Sequence, residues 1–286
     1  MANLKNIRSQ IKSVTSIQKV TKAMKMVAAA KLRKSQENME KARPYSRRIK
    51  NLISTLIHDV DSSVLPLLKI HNDTKKNGFV IITADRGLAG SFNSNIIKTA
   101  ELEINKIGKE NAELFCIGKK GYEYFKKRDY KIINFYENLW NELKYNQAVT
   151  LGNDIVGFYI NHKSQSVIII YNYFKNAGSQ EVISNKILPL TFDSDKDQAA
   201  EDRLYEPSKV SIVTSLVPKY FNTQIWQFLL ESFASEQAAR MLAMENATEN
   251  AKEMINELNL EFNKARQSAI TTEMLEIVGG AEALSN

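Results

Sequence analysis

Cysteine occurs once in 286 residues, at Cys116, so no disulfide can close within the chain. Its setting in the apolar run from Glu113 to Ile117 suits a small buried core residue better than a reactive thiol. No apolar run approaches the ~20 residues that a membrane-crossing helix needs. The opening residues, Met1 to Lys5, have no apolar leader, so the chain is expected to be made and to stay on the cytosolic side. The three histidines, His58, His71 and His162, stand in unrelated contexts without the ligand spacing of a metal site, and no Ser, Cys or Lys lies in a nucleophile motif. Neither a metal, nor a cofactor, nor a catalytic residue is expected. Glycine is missing before Gly78 and aromatic side chains before Tyr45, which leaves the first fifty residues helix-permissive and without rings to stack on bases.

Acidic residues are also scarce at the start. Residues 1–50 hold 14 Lys/Arg against 2 Asp/Glu, a net of +12; residues 219–286 hold 5 against 10, a net of −5; the remaining 20 of each cancel, giving the overall +7. A basic arm alone would suggest nucleic acid or anionic lipid. An acidic partner in the same chain makes the two ends candidates for each other.

Both ends read as helix. From Met241 the residues Met241, Met244, Thr248, Ala251, Ile255, Leu258, Phe262, Ala265 and Ala269 alternate steps of three and four, the seam of a left-handed coiled coil. No proline or glycine interrupts residues 219–278, which predicts one continuous helix entered between Pro207 and Pro218. At the N-terminus, with Asn3 at the N-cap position, Leu4, Ile7, Ile11, Val14, Ile17, Val20, Met24 and Val27 recur every three or four positions. Pro44 predicts a bend or a break in this helix. If the two ends pair antiparallel from residues 57 and 208, the first helix runs out near residue 264 and leaves the last ~20 residues without a partner in the chain.

The grammar between them is different. Residues 78–84, 113–117, 131–135, 166–174 and 181–190 are short apolar or β-branched runs, and helical stretches at 93–106, 119–127 and 145–162 separate the first four. Alternation of this kind predicts a mostly parallel, Rossmann-like sheet in an α/β domain. The short turn Asn176 to Ser179 places the fifth run antiparallel at an edge. The chain thus divides into an N-terminal coiled-coil helix, 1–57, an inserted α/β domain, 58–207, and a C-terminal coiled-coil helix, 208–286. Residues 191–209 are polar and form a flexible connection.

Gly87-Leu88-Ala89-Gly90-Ser91 imitates a phosphate-binding turn, yet it lacks the Gly-Lys-Ser/Thr ending of a P-loop and the third glycine of a dinucleotide fingerprint. A tight strand-to-helix turn is the better reading. For the basic helix face three readings stand side by side: contact with acidic protein surfaces, a nucleic-acid backbone, or plain solvation.

Four stretches together resemble the γ subunits of F-type ATP synthases: residues 21–36 around Met24, residues 82–93 with Asp85-Arg86-Gly87, residues 235–248 around Arg240, and Asn263 to Thr271 leading into Glu273 and Glu276. The resemblance spans essentially the whole chain. It implies a rotor shaft with no bond chemistry of its own, threading a ring of three α and three β subunits and standing on the ε subunit and the c-ring. Its place would be peripheral, on the cytoplasmic face of a bacterial plasma membrane. By the same resemblance Met24 and Arg240 influence coupling near acidic loops of β. Arg266, Gln267, Thr271 and Glu273 lie higher on the shaft, the first two bonding a β loop. The regulatory cysteine pair of chloroplast members is excluded by the solitary Cys116. The alternative is a basic coiled-coil hairpin that binds nucleic acid.

Overall fold

The computed structural model describes residues 4–57, 60, 65–71, 74–192, 206 and 208–285. Asn3, His58, Pro207 and most of the 191–209 connection lie outside them. Two long helices, α1 (Leu4–Leu56) and α5 (Lys209–Ser285), enclose in sequence five strands, β1 (Asn77–Ile82), β2 (Ala112–Ile117), β3 (Ile132–Tyr136), β4 (Ser166–Asn176) and β5 (Ser179–Leu188). Three further helices are α2 (Phe92–Ile107), α3 (Lys119–Lys126) and α4 (Tyr145–Asn161). Two compact units result, Ala29–Arg240 and the pair Met1–Ala28 with Met241–Asn286.

In the larger unit the sheet order is β3-β2-β1-β4-β5, parallel throughout except for the antiparallel β4–β5 hairpin. The expected α/β fold and its edge hairpin are both present. β1 and β2 are buried at every residue because helices cover both faces. On one face Val80, Ile82, Phe115 and Ile169 pack with Ile53 and Leu56 of α1, Ile155 of α4 and Phe221, Ile225 and Leu229 of α5. On the other, Phe79, Ile81, Leu114 and Cys116 meet Phe92, Ile96 and Ile104 of α2 and Phe125 of α3. Burial pushes the Cys116 thiol up to about 12, so it behaves as a core residue.

Neither proline ends a helix. Pro44 leaves α1 unbroken and Pro218 lies inside α5, which starts at Lys209. A proline releases the carbonyl four residues earlier. Glu40 and Thr214 are the residues concerned, and both, like Pro44 and Pro218, are exposed, so water can take the released bond. Gly279 and Gly280 also continue α5.

A charged knot ties the N-terminal ends of β2 and β3 to the C-terminal end of α4. The Glu113 carboxylate is 2% exposed, accepts from Lys131 Nζ and lies 3.2 Å from His162 Nδ1. Burial pushes its pKa up, but the Lys131 and His162 hydrogen bonds outweigh that, leaving it below the ordinary carboxylate value. A carboxyl lowered in the fold contributes stability above its unfolded pKa and loses it as pH falls through the folded one. Glu113→Gln is therefore expected to cost about 1.5–3 kcal/mol at pH 7 in urea unfolding, with the gap to the parent closing below pH 4.

Candidate partner-contact site

In the smaller unit α1 and α5 lie antiparallel, and their register follows from one contact: the Thr21 and Thr248 hydroxyls meet at 2.8 Å. Leu4, 17 residues before Thr21, then stands opposite Ala265, 17 residues after Thr248. Burial agrees. Along α5, Met244 and Ala251 are buried and Thr248, Ile255, Leu258, Phe262 and Ala265 half-buried, whereas every residue from Arg266 to Ala281 is exposed. Ala269, expected in the seam, is among the exposed ones, since the described part of α1 has ended by then.

On α1 the inward stripe differs from the apolar one. Leu4, Ile7, Ile11 and Val14 turn inward, but the next inward positions are Gln18, Thr21, Lys25 and Ala28, while Ile17, Val20 and Val27 are 52–58% exposed. A coiled-coil seam repeats every 3.5 residues whatever the side chains, and continuing four and three from Val14 reaches Gln18 and Thr21. Polarity hid these positions. Opposite them, Glu245 accepts from Lys25 Nζ at 2.6 Å, a partly exposed pair of the kind worth well under 1 kcal/mol. Thr21 Oγ1 also lies within reach of the Gln18 carbonyl and Thr248 Oγ1 of the Met244 carbonyl; with one proton on each hydroxyl, two of the three contacts are hydrogen bonds at any time. Thr248→Val is expected to cost about 1 kcal/mol and the double change with Thr21→Val less than the two singles summed, because removing both partners strands neither. Chemical unfolding of the four proteins measures it.

The residues singled out by resemblance fall in different places. Met24 is half-buried beside the α1 seam. Arg266, Gln267, Thr271 and Glu273 are exposed on α5, with Thr271 Oγ1 donating back to the Gln267 carbonyl at 2.9 Å. Arg240 belongs to the larger unit. Its guanidinium donates to Glu236 Oε1 at 2.6 Å and to the Gly87 carbonyl at 3.2 Å, and its side chain is only 13% exposed. Glu236 is a residue the motifs did not pick out, although its (i, i+4) spacing to Arg240 was a usable signal.

Gly87–Ser91 lies just beyond the C-terminal end of β1, next to the crevice where doubly wound sheets hold nucleotides. Here the chain's own groups fill that end. Trp140 Nε1 donates to the Thr83 carbonyl at 3.1 Å, Arg240 grips Gly87, and the Asp85 carboxylate accepts from Lys119 N at the start of α3 and from Asn138 N. The segment is a strand-to-helix turn with Leu88 and Gly90 at positive φ and Asn93 Oδ1 accepting from Ala84 N. Among the described residues no group of three or more His, Cys, Asp or Glu could hold a metal ion, and no helix is long and apolar enough to cross a membrane.

A five-stranded α/β core in one unit and terminal helices that pair antiparallel in the other define the class, an α/β protein with a coiled coil. The family model described as ATP synthase matches residues 3–284. The ATP synthase gamma chains of Prosthecochloris aestuarii and Chlorobium phaeobacteroides are 47% and 45% identical, each over 99% of both chains. This chain belongs to the ATP synthase gamma chain family. The fold is also that of solved chains: one from the central stalk and c-ring of Tetrahymena thermophila mitochondrial ATP synthase has a TM-score of 0.62 at 28% identity, covering 80% of this chain and 99% of that one. Another, from Euglena gracilis mitochondrial ATP synthase, has 0.69 at 19%, covering 98% and 94%.

Proposed function

We propose that the chain is the central rotor shaft of a bacterial F-type ATP synthase, one copy within a ring of three α and three β subunits, standing with ε on the c-ring. The end-to-end similarity to gamma chains carries this reading. The α/β domain serves as the foot, the paired helices as the shaft, and the segment beyond Ala265 as a tip gripped by an apolar collar. Exposed Ile270, Met274, Leu275, Ile277 and Val278 suit that grip. The shaft does no bond chemistry; it gives its partners' alternative states different contact free energies and so drives the β sites through a cycle. The basic face of α1 meets acidic loops of β, a pairing that demands little shape matching. Arg266, Gln267, Thr271 and Glu273 contact the ring directly, and Met24 lies near the β loops. Arg240 acts through its brace on the Gly87 turn. The assembly sits peripherally on the cytoplasmic face of the plasma membrane.

Mixing the chain with purified α and β subunits, followed by size exclusion with mass determination and an ATPase assay, tests the reading. One copy per three αβ pairs is expected, with weaker assembly and lower ATPase after truncation at Ala265. A chain that elutes alone and shifts labelled RNA with a steep salt dependence would overturn it.

A further inference from the structure

A groove in the larger unit is lined by aromatic rings and edged by cations. It measures about 550 Å³ and lies between α1, α5 and the segment entering α4, with Asn38, Lys41, Tyr45, Leu143, Tyr145 and Trp226 along it. Tyr145 and Trp226 meet edge to face, their centroids 6.0 Å apart at 85°. Tyr45 and Tyr145 stay 52% and 42% exposed, although each offers a large apolar surface. The lining is mainly apolar and contains no Asp or Glu.

The cations continue past the groove in one row. Lys34, Lys41 and Arg48 recur on α1 at seven-residue steps and are all exposed, so they stand on one side of the helix, about 10 Å apart. Asn38 and Tyr45 lie on that side too, three and four residues from Lys41. Among the described residues no carboxylate pairs with any of the three cations. Glu37 is held by Arg33 at 3.3 Å, and Glu40 is turned about 100° around the helix from Lys41. Lys144 in the lining is answered by Glu142 at 3.0 Å. The row therefore keeps three uncompensated positive charges beside an apolar groove.

We propose that this side of α1 and the groove beside it dock an acidic amphipathic helix of a partner protein. No strand contributes to the lining. Without a sheet edge to pair with, the occupant must satisfy its own main-chain hydrogen bonds, as a helix does. Carboxylates seven residues apart on such a helix repeat at the spacing of the cation row, and apolar side chains between them enter among the rings. Nucleic acid matches less well, because a duplex carries a charge every ~1.7 Å, far closer than these cations stand. The inference stands independently of the rotor assignment.

The probe is a fluorescein-labelled, alanine-rich helical peptide of roughly 20 residues, with Glu at every seventh position and leucines beside the middle one. Its counterparts carry Lys in place of Glu, or a central proline that breaks the helix. Each is titrated by anisotropy against the full-length chain. Saturable binding of the acidic helix is expected, at least about tenfold tighter than either counterpart. Lys41→Glu and Tyr45→Ala, both at exposed positions, should each weaken it severalfold while leaving the urea unfolding midpoint near that of the parent. The proposal is overturned if the basic or the proline-broken peptide binds equally well, if neither substitution changes the affinity, or if millimolar acidic peptide gives no saturation. It is overturned in favour of nucleic acid if labelled RNA binds more tightly and Lys41→Glu abolishes that binding. A chain that elutes as a dimer dissolved by Tyr45→Ala would make the occupant a second copy and overturn it as well.

Discussion

Gly118→Ala is expected to lower the stability of the α/β domain by at least about 4 kcal/mol, enough to leave much of the chain unfolded at 37 °C. Gly118 joins β2 to α3 at φ 87, a conformation L side chains rarely adopt. A Cβ there would overlap the Thr83 carbonyl oxygen and stand 2.6 Å from its carbon and 3.0 Å from the Ala84 carbonyl carbon. Those atoms are main chain, at the end of β1, and Thr83 is itself held by N–H and Oγ1 bonds to Ile117 O. The obstruction cannot rotate aside. Gly157→Ala within α4 is the control: an added methyl meets nothing within 4 Å, so a gain of up to about 1 kcal/mol is expected from helix propensity. Urea unfolding of the two variants should diverge in opposite directions from the parent. Similar stabilities would mean that the β2–α3 turn relaxes in a way this geometry forbids.

Arg240→Ala should cost about 3–5 kcal/mol, the penalty for breaking a buried pair and leaving a charge behind. Glu236 is 4% exposed, and its second carboxylate oxygen has no hydrogen-bond partner among the described residues. Burial raises its pKa, Asp85 adds to the rise, and Arg240 and Lys31 oppose it. Without Arg240 the rise grows. A carboxyl raised in the fold favours the protonated state, so its penalty is present at high pH and fades as pH falls through the folded pKa. The Arg240→Ala deficit should therefore shrink as pH falls below 7. Arg240→Ala/Glu236→Gln should recover much of the loss at pH 7. If the deficit is independent of pH, Glu236 is not the stranded group.

Most of the fold was legible because its physics is local. Strands buried on both faces must be apolar throughout, which is why the runs starting at Gly78 and Glu113 stood out within a residue of β1 and β2. Helices without internal glycine were equally plain. A break at Pro44 and a helix entry bounded by Pro218 did not materialise because a proline's effect depends on which side of the helix it occupies, and that becomes known only from the packing. The seam beyond Val14 misled for the opposite reason: hydropathy followed Ile17 and Val20 while geometry required Gln18 and Thr21. Contacts such as Arg240 to Gly87, 153 residues apart, leave no periodic trace. Nor does the sequence mark where α1 and α5 pass from one compact unit to the other near Ala28 and Met241, since neither helix is interrupted there.

The displaced stripe on α1 gives that helix two unlike flanks. On one side of the seam lie exposed Ile17, Val20 and Val27; on the other lie Lys5, Arg8, Lys12, Lys19 and Lys22. An acidic loop fixed in space beside such a helix meets ammonium groups at one angle and methyl groups a fraction of a revolution later. Coulomb attraction gives way to desolvation of a carboxylate against an apolar surface, a change from favourable to unfavourable at the same distance. Rotational orientation is thereby written as an angular potential, with one well per full turn for each such loop.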